Sequence, residues 1–257
     1  MLAAGAVLLA FGLDAAVGEV PTRTHPVAWF GTVVAPFDRE WSHPRAVGSA
    51  VAVLLPLAAA AAVGGVVAAA GSLAPLLSAL VAGVALFVTT SLRRLLSVAR
   101  AVVTATESDV DAARERLRAL AGRDASDLSP GAIRSAVVES VAENLADGLV
   151  APLGAFVVGA VVFGAVLVSP FAEELAGFCL GAFVSLPAAA AGAAWVKAVN
   201  TLDSMLGYRS KPVGTPSARL DDAVMLVPAR VSSALLAVAA LAPQALLAAR
   251  THAGVPA

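Results

Sequence analysis

The 257-residue chain contains one cysteine, Cys179, and three histidines, His25, His43 and His252. One cysteine excludes a disulfide framework and a cysteine-based metal site. Its place in an apolar run makes it a small buried hydrophobe. His43 and His252 stand in no pattern. His25 sits in the turn T-H-P-V-A-W-F-G, where capping and function are both open. Charge is scarce: 14% of residues are Asp, Glu, Lys or Arg against 59% hydrophobic, and the net charge is −1. No basic field exists to attract nucleic acid. The chain also lacks G-x-x-x-x-G-K-[ST], a G-x-G-x-x-G opening a helix after a strand, H-E-x-x-H and G-x-S-x-G. Any nucleotide site is therefore not of the common kinds. No internal repeat is visible, which argues against a transporter built from inverted halves.

What the chain does have is apolar length. A mean hydropathy of +0.86 places it in the membrane class. A spanning helix needs about 20 mostly apolar residues. Six runs qualify, at about 1–17, 46–71, 73–92, 149–169, 175–196 and 224–249. They predict an all-α, polytopic integral membrane bundle forming one membrane domain, with a helical cytoplasmic connection over 93–148. The first run is short and has no preceding basic residue, the first cation being Arg23. That argues for a retained helix rather than a cleaved signal peptide. Gly71-Ser72 and Ser169-Pro170-Phe171 read as tight turns between spans. Pro56, Pro187 and Pro243 fall inside runs, as membrane bundles tolerate.

Fifteen of the seventeen basic residues lie in three connections, 18–45, 93–148 and 197–223. Alternation of six spans puts these connections on one side, and the positive-inside rule makes that side cytoplasmic. Sixteen of the eighteen acids share it, Glu173 and Glu174 being the exceptions. A charge at mid-bilayer costs about 2.5–3.5 kcal/mol, so those two belong at the far interface. The chain is thus expected to be a multi-pass protein of the cell membrane.

The polar residues cluster in islands. Residues 107–121 form an amphipathic helix with Val110, Ala113, Leu117 and Leu120 on one face. Asp111 and Glu115 can pair with Arg118 and Arg114 on the other, and Gly122 supplies the stop. Ser129-Pro130 fits an N-cap with proline at the first helical position. The helix that follows should run to about Asp147, with Gly148 and Pro152 marking a break. Glu139, Glu143 and Asp147 fall at i, i+4 and i+8 on it, flanked by Ser140 and Asn144. Like charges at this spacing repel, so either the face is simply wet or a divalent cation or arginines compensate. Mg²⁺ suits carboxylate oxygens and bridges to phosphates. In the last connection Asn200, Asp203, Ser204 and Gly207 share a helical face, followed by Tyr208 and Arg209. Lys211, Arg219 and the pair Asp221-Asp222 lead into the last span. Arg230 lies near the membrane boundary, where it needs an acidic partner or a substrate anion.

These islands resemble the adenosylcobinamide-phosphate synthase family, integral membrane proteins of cobalamin biosynthesis. The opening L-D-A-A-V-G-E-V-P-T-R-T-H-P-V-A-W-F-G, G-R-D at 122–124, E-S-V-A-E-N-L-A-D-G-L-V-A-P-L, N-T-L-D-S-M-L-G-Y-R, and S-A-R-L-D-D followed by V-P-A-R match the family's motifs in order over residues 13 to about 232. Two features depart from the family. Its C-terminal Ser-Pro-Asn-Ala-Gly-like, glycine-rich segment has no counterpart here, and S-K-P-V-G-T-P replaces a usual Tyr and Phe-Gly after Arg209. The resemblance implies an ATP-dependent acid–amine ligase. It would join adenosylcobyric acid to (R)-1-amino-2-propanol or its O-phosphate, giving adenosylcobinamide or its phosphate, with ATP and Mg²⁺. It implies catalytic roles for Glu139, Glu143, Asp147 and Asp203, and metal ligation by Glu143, Asp147, Asp221 and Asp222. Substrate contacts would come from Asn144, Asn200, Arg209, Arg219 and Arg230, with Arg123 as a further candidate. The expected partners are the corrinoid and aminopropanol substrates, the lipid bilayer and other corrinoid-pathway membrane enzymes. The competing reading is a non-catalytic membrane sensor or assembly protein with the same bundle.

The topology predicts that Asp124→Cys, in a Cys179→Ala background, reacts with a membrane-impermeant maleimide only when the cytoplasmic face is exposed. Labelling from outside intact cells would overturn the orientation.

Overall fold

Proline sets where the helices begin. In a computed structural model of the chain, residues 1–121, 125–167 and 180–239 are described. Four helices start on a proline: α2 (Pro26–Val34), α3 (Pro44–Leu73), α4 (Pro75–Thr89) and α7 (Pro130–Leu145). A first-turn N–H has no intrahelical partner to lose, so proline costs nothing there and presets φ. The other α-helices among the described residues are α1 (Leu2–Val17), α5 (Leu92–Ser108), α6 (Val110–Ala121), α8 (Ala151–Leu167), α9 (Leu180–Leu206) and α10 (Thr215–Ala239). No strand occurs among the described residues.

The chain divides into two units, residues 1–91 with 151–225, and residues 92–150 with 226–257. In the first, α9 packs along α3, α8 and α4, while α1 lies against α4. Its core is mostly alanine: Ala6, Ala10, Ala82, Ala189, Ala190 and Ala193 are almost fully buried around Phe156, Leu86 and Val67. Small residues let helix backbones touch, the packing mode of bundles in lipid. At Gly159 on α8 an added Cβ would lie 2.7 Å from the Ala188 carbonyl oxygen of α9. At Gly192 on α9 it would lie 2.9 Å from the Ala155 carbonyl oxygen of α8. The second unit is a three-helix cluster of α5, α6 and α7, with Val102, Ala113, Leu117, Ile133 and Val137 inside it. There Arg114 bonds Asp111 at 2.8 Å, and its Nε donates to the Leu128 carbonyl at 3.1 Å.

Among the described residues four stretches are long and apolar enough to cross a membrane: Pro44–Leu73, Pro75–Ser108, Pro130–Gly164 and Pro212–Ala239. The most apolar window of Pro44–Leu73 has a mean hydropathy of 2.4 yet only 22% of it is buried. Val53, Leu54, Leu57 and Val66 point outward. That surface suits lipid and would be unfavourable in water. α1 is short, as expected, at 16 residues.

Several expectations shift. The turn predicted at Gly71-Ser72 falls later, because α3 continues to Leu73 and Pro75 opens α4. The segment 18–45 is not a plain loop, since His25 and Pro26 start the apolar helix α2. No break occurs at Gly148 and Pro152. Ala146–Val150 forms a π turn, and Pro152 is tolerated in the first turn of α8. Gly122, Arg123, Cys179, Glu173, Glu174, Pro243, Arg250, His252, the Ser169-Pro170-Phe171 turn, and parts of the fifth and sixth runs lie outside the described residues.

The backbone contact between α8 and α9 predicts that Gly159→Ala destabilises by about 1–3 kcal/mol, because neither backbone can yield cheaply. An added Cβ at Gly154 meets nothing within 4 Å, so Gly154→Ala should be neutral or slightly stabilising. Thermal melts in detergent compare the two.

Candidate functional site

Within the first unit, the end of α9 and the start of α10 bring two of the polar islands together. Ala151 of α8, Val196 of α9 and Met225 of α10 share a buried cluster, which sets α10 against α9. Asp203 is half-buried and Asp222 exposed. Burial raises the Asp203 carboxyl above its usual range, and the charge of Asp222 raises it further. The two carboxylates therefore feel one another across helices that are separate in the sequence.

The turn between the helices is fixed by a lysine. Lys211 Nζ donates to Asp38 Oδ2 at 2.8 Å and to the Met205 carbonyl at 3.3 Å, capping the end of α9. The same ammonium lies 4.9 Å from the centre of the Tyr208 ring. Gly214 lies so close to the Leu206 carbonyl that no side chain fits there. Beyond this anchor, Arg209 and Arg219 extend into solvent and Asn200 and Asp221 are half-buried. The Ser204 hydroxyl is turned back to the Asn200 carbonyl at 2.9 Å.

The other predicted residues lie in the second unit. Glu139, Glu143 and Asn144 are exposed on α7, and Asp147 is half-buried in the π turn. The Asn144 side-chain nitrogen donates to the Ser140 carbonyl at 2.8 Å, leaving its oxygen and its second N–H for other partners. Arg230 Nη1 donates to the Leu226 carbonyl at 2.7 Å. Arg123 lies outside the described residues. No group of three or more His, Cys, Asp or Glu among the described residues is arranged to hold a metal ion. Mg²⁺ is commonly held by only one or two carboxylates, with water and substrate phosphate completing its shell, and the adjacent Asp221 and Asp222 near the start of α10 could supply that number.

The sequence reading missed Glu19 and Lys197. With His25 they line a cavity of about 370 Å³ in the first unit. The available signal was one of the chain's two lysines set inside an apolar helix. His25 caps α2, its Nδ1 accepting the Val27 N–H at 3.2 Å. Burial pushes its imidazole below the ordinary value, with Glu19 acting upward and Lys197 downward.

A family profile described as CobD/Cbib protein matches residues 7–256. The chain belongs to the CobD/Cbib family. It is 34% identical to the cobalamin biosynthesis protein CobD of Klebsiella pneumoniae subsp. pneumoniae, over 91% of this chain and 67% of that protein. It is 30% identical to the probable cobalamin biosynthesis protein CobD of Methanothermobacter thermautotrophicus, over 91% and 69%. Against the cobalamin biosynthesis protein CbiB of Salmonella arizonae it is 33% identical, over 90% and 67%. The chain thus spans about two thirds of the length of these family members. No solved structure matches it.

The raised proton affinity of Asp203 carries a sign. A group whose folded pKa is raised favours the fold below its unfolded value, near 3.9, and loses that contribution as pH rises through the folded value. At neutral pH ionised Asp203 is therefore a cost. Asp203→Asn should raise Tm at pH 7 by about 1–2 °C, the scale of roughly 0.5 kcal/mol left after solvent screening. The gain should vanish below about pH 4. An unchanged melt at pH 7 would mean the charge is already compensated.

Proposed function

We propose that the chain acts in cobalamin biosynthesis, as the names of its relatives say of them, and that its reaction is an ATP-dependent ligation. The substrates are adenosylcobyric acid and (R)-1-amino-2-propanol or its O-phosphate, and the product is adenosylcobinamide or its phosphate. The observation that supports this reading best is the electrostatic pairing of Asp203 with Asp222. It joins N-T-L-D-S-M-L-G-Y-R to S-A-R-L-D-D, two of the motifs shared with the synthase family.

A carboxylate is a poor acyl donor because its leaving group would be oxide. In this reading a carboxylate oxygen of the corrinoid attacks the terminal phosphorus of ATP, ADP leaves, and an acyl phosphate results. The amine nitrogen then attacks the acyl carbon, phosphate departs, and the nitrogen gives up a proton. A base should have a proton affinity above that of an ordinary carboxylate. Asp203 meets that condition through its burial, so it is assigned as the base. Asp222, with Asp221, would hold Mg²⁺, which supplies charge neutralisation at the phosphates. Arg209 and Arg219 have the planar fork that takes two oxygens of a phosphate or carboxylate. Glu139, Glu143, Asp147, Asn144 and Arg230 are assigned to the same reaction on the motif resemblance. In this reading the polar connections face the cytoplasm, where ATP is available.

The test is complementation of a synthase-deficient strain fed adenosylcobyric acid. The native chain should restore growth. Glu143→Gln and Asp203→Asn should each lower ligation by about a hundredfold or more. No growth with the native chain, alongside growth on added cobinamide, would replace the ligase with the sensor or assembly role.

A further inference from the structure

Asp203 stands on the last turn of α9, where the chain is fixed at several points. The Gly207 N–H donates to the Asp203 carbonyl at 2.7 Å. A Cβ added at Gly207 would collide with Asp203 Oδ1 and would lie 2.7 Å from the Asp203 carbonyl oxygen. The carboxylate therefore lies back over the end of α9, in space that is open because residue 207 has no side chain. The Lys211 N–H donates to the Tyr208 carbonyl at 2.8 Å, and the Gly214 N–H to the Lys211 carbonyl at 2.9 Å. The Lys211 ammonium closes the same turn by reaching both Asp38 and the Met205 carbonyl. Asp38 is itself a braced anchor. Its N–H donates to the Ala35 carbonyl at 3.1 Å. Beside it Trp41 Nε1 donates to the Phe37 carbonyl at 3.1 Å, and the two rings stack with centroids 6.3 Å apart. The Arg39 guanidinium lies 4.0 Å from the Trp41 ring centre. Phe37 packs against the buried cluster of Val34, Val51, Leu202 and Leu206, so one apolar cluster seats both the anchor and the turn of α9 that carries Asp203. The Lys211 and Asp38 side chains are nevertheless 31% and 44% exposed, and an ion pair so exposed adds little stability. What it supplies is a fixed distance between segments 173 residues apart.

We infer that Lys211, Asp38 and Gly207 are positioning residues that hold the Asp203 carboxylate for the proposed ligation. The ion pair fixes the end of α9, and Gly207 leaves the space in which the carboxylate rests. None of the three touches substrate in this role. The inference deepens the proposed function and rests on its assignment of Asp203 as the base. A base acts in the transition state, and a misplacement of about 1 Å costs about a hundredfold in rate. The clamp therefore governs turnover and leaves substrate affinity alone.

The test uses the full chain in nanodiscs with ATP, Mg²⁺, adenosylcobyric acid and aminopropanol. Lys211→Met and Asp38→Ala should each lower kcat about ten- to a hundredfold and leave every KM within about twofold. Tm should shift by no more than about 4 °C, because the pair is half-exposed. The double variant should be no slower than the slower single one, since both break one contact. Lys211→Arg should recover most of the rate, because a guanidinium can still bond the Asp38 carboxylate. Gly207→Ala should lower kcat in the same way by displacing the Asp203 carboxylate. Tyr208 is the chain's one tyrosine, and the Lys211 ammonium lies 4.9 Å from its ring centre. A carbon-13 tyrosine label therefore reports the turn without turnover, and its ring signal should move in Lys211→Met and in Asp38→Ala. Native kcat in either of these variants overturns the proposal. So does a raised KM in Lys211→Met that Asp38→Ala does not reproduce, which would make Lys211 a substrate contact. A native chain that fails to ligate overturns the ligation instead. The ring signal then decides the clamp alone, and a signal unmoved in both variants overturns it.

Discussion

The first unit depends on the contact of the α8 and α9 backbones at Gly159 and Gly192. In lipid no hydrophobic effect drives helices together, so close van der Waals approach and complementary shape must do it. Where a Cβ would meet a carbonyl oxygen at 2.7 or 2.9 Å, glycine is the residue that permits the approach. The alanines around those points extend the seam along the helix. Helix α9 carries Lys197, Asn200 and Asp203, so the position of every polar group on it is inherited from this apolar seam.

The polar end is held by different means. Lys211 ties the close of α9 to Asp38, and the short turn through Gly214 returns the chain to open α10. These restraints allow Asp203 to be half-buried while remaining within reach of the charge on Asp222. A carboxylate placed so is costly to the fold at neutral pH. Proteins retain such costs where a ligand offsets them, and perturbed carboxylates cluster at functional sites for that reason. The Glu19, His25 and Lys197 cavity differs because it is balanced in charge.

Much of the architecture was legible in the chain. The apolar helices over the second, third and fourth runs, Ser129-Pro130 as a helix start, and the burial of Ala113 and Leu117 on one face all depend on local chemistry, and all appear among the described residues. The π turn at Ala146–Val150 was not legible. Its residues read as an ordinary break, and the choice between a break and a wider turn depends on how the surrounding helices pack. Helix α2 was missed because nine residues are too few for a hydropathy window to separate from a loop.

The sequence by itself determined that this is a helical membrane protein of the CobD/Cbib family, and which residue types carry its polar chemistry. Hydrophobicity, periodicity and ordered motifs are properties of neighbours along the chain. Only the tertiary structure decided which groups meet. Asp203 and Asp222 are nineteen positions apart, and Glu19 and Lys197 come from opposite parts of the chain. Their proximity follows from helix packing, and electrostatic interaction depends on distance in space rather than on separation in sequence.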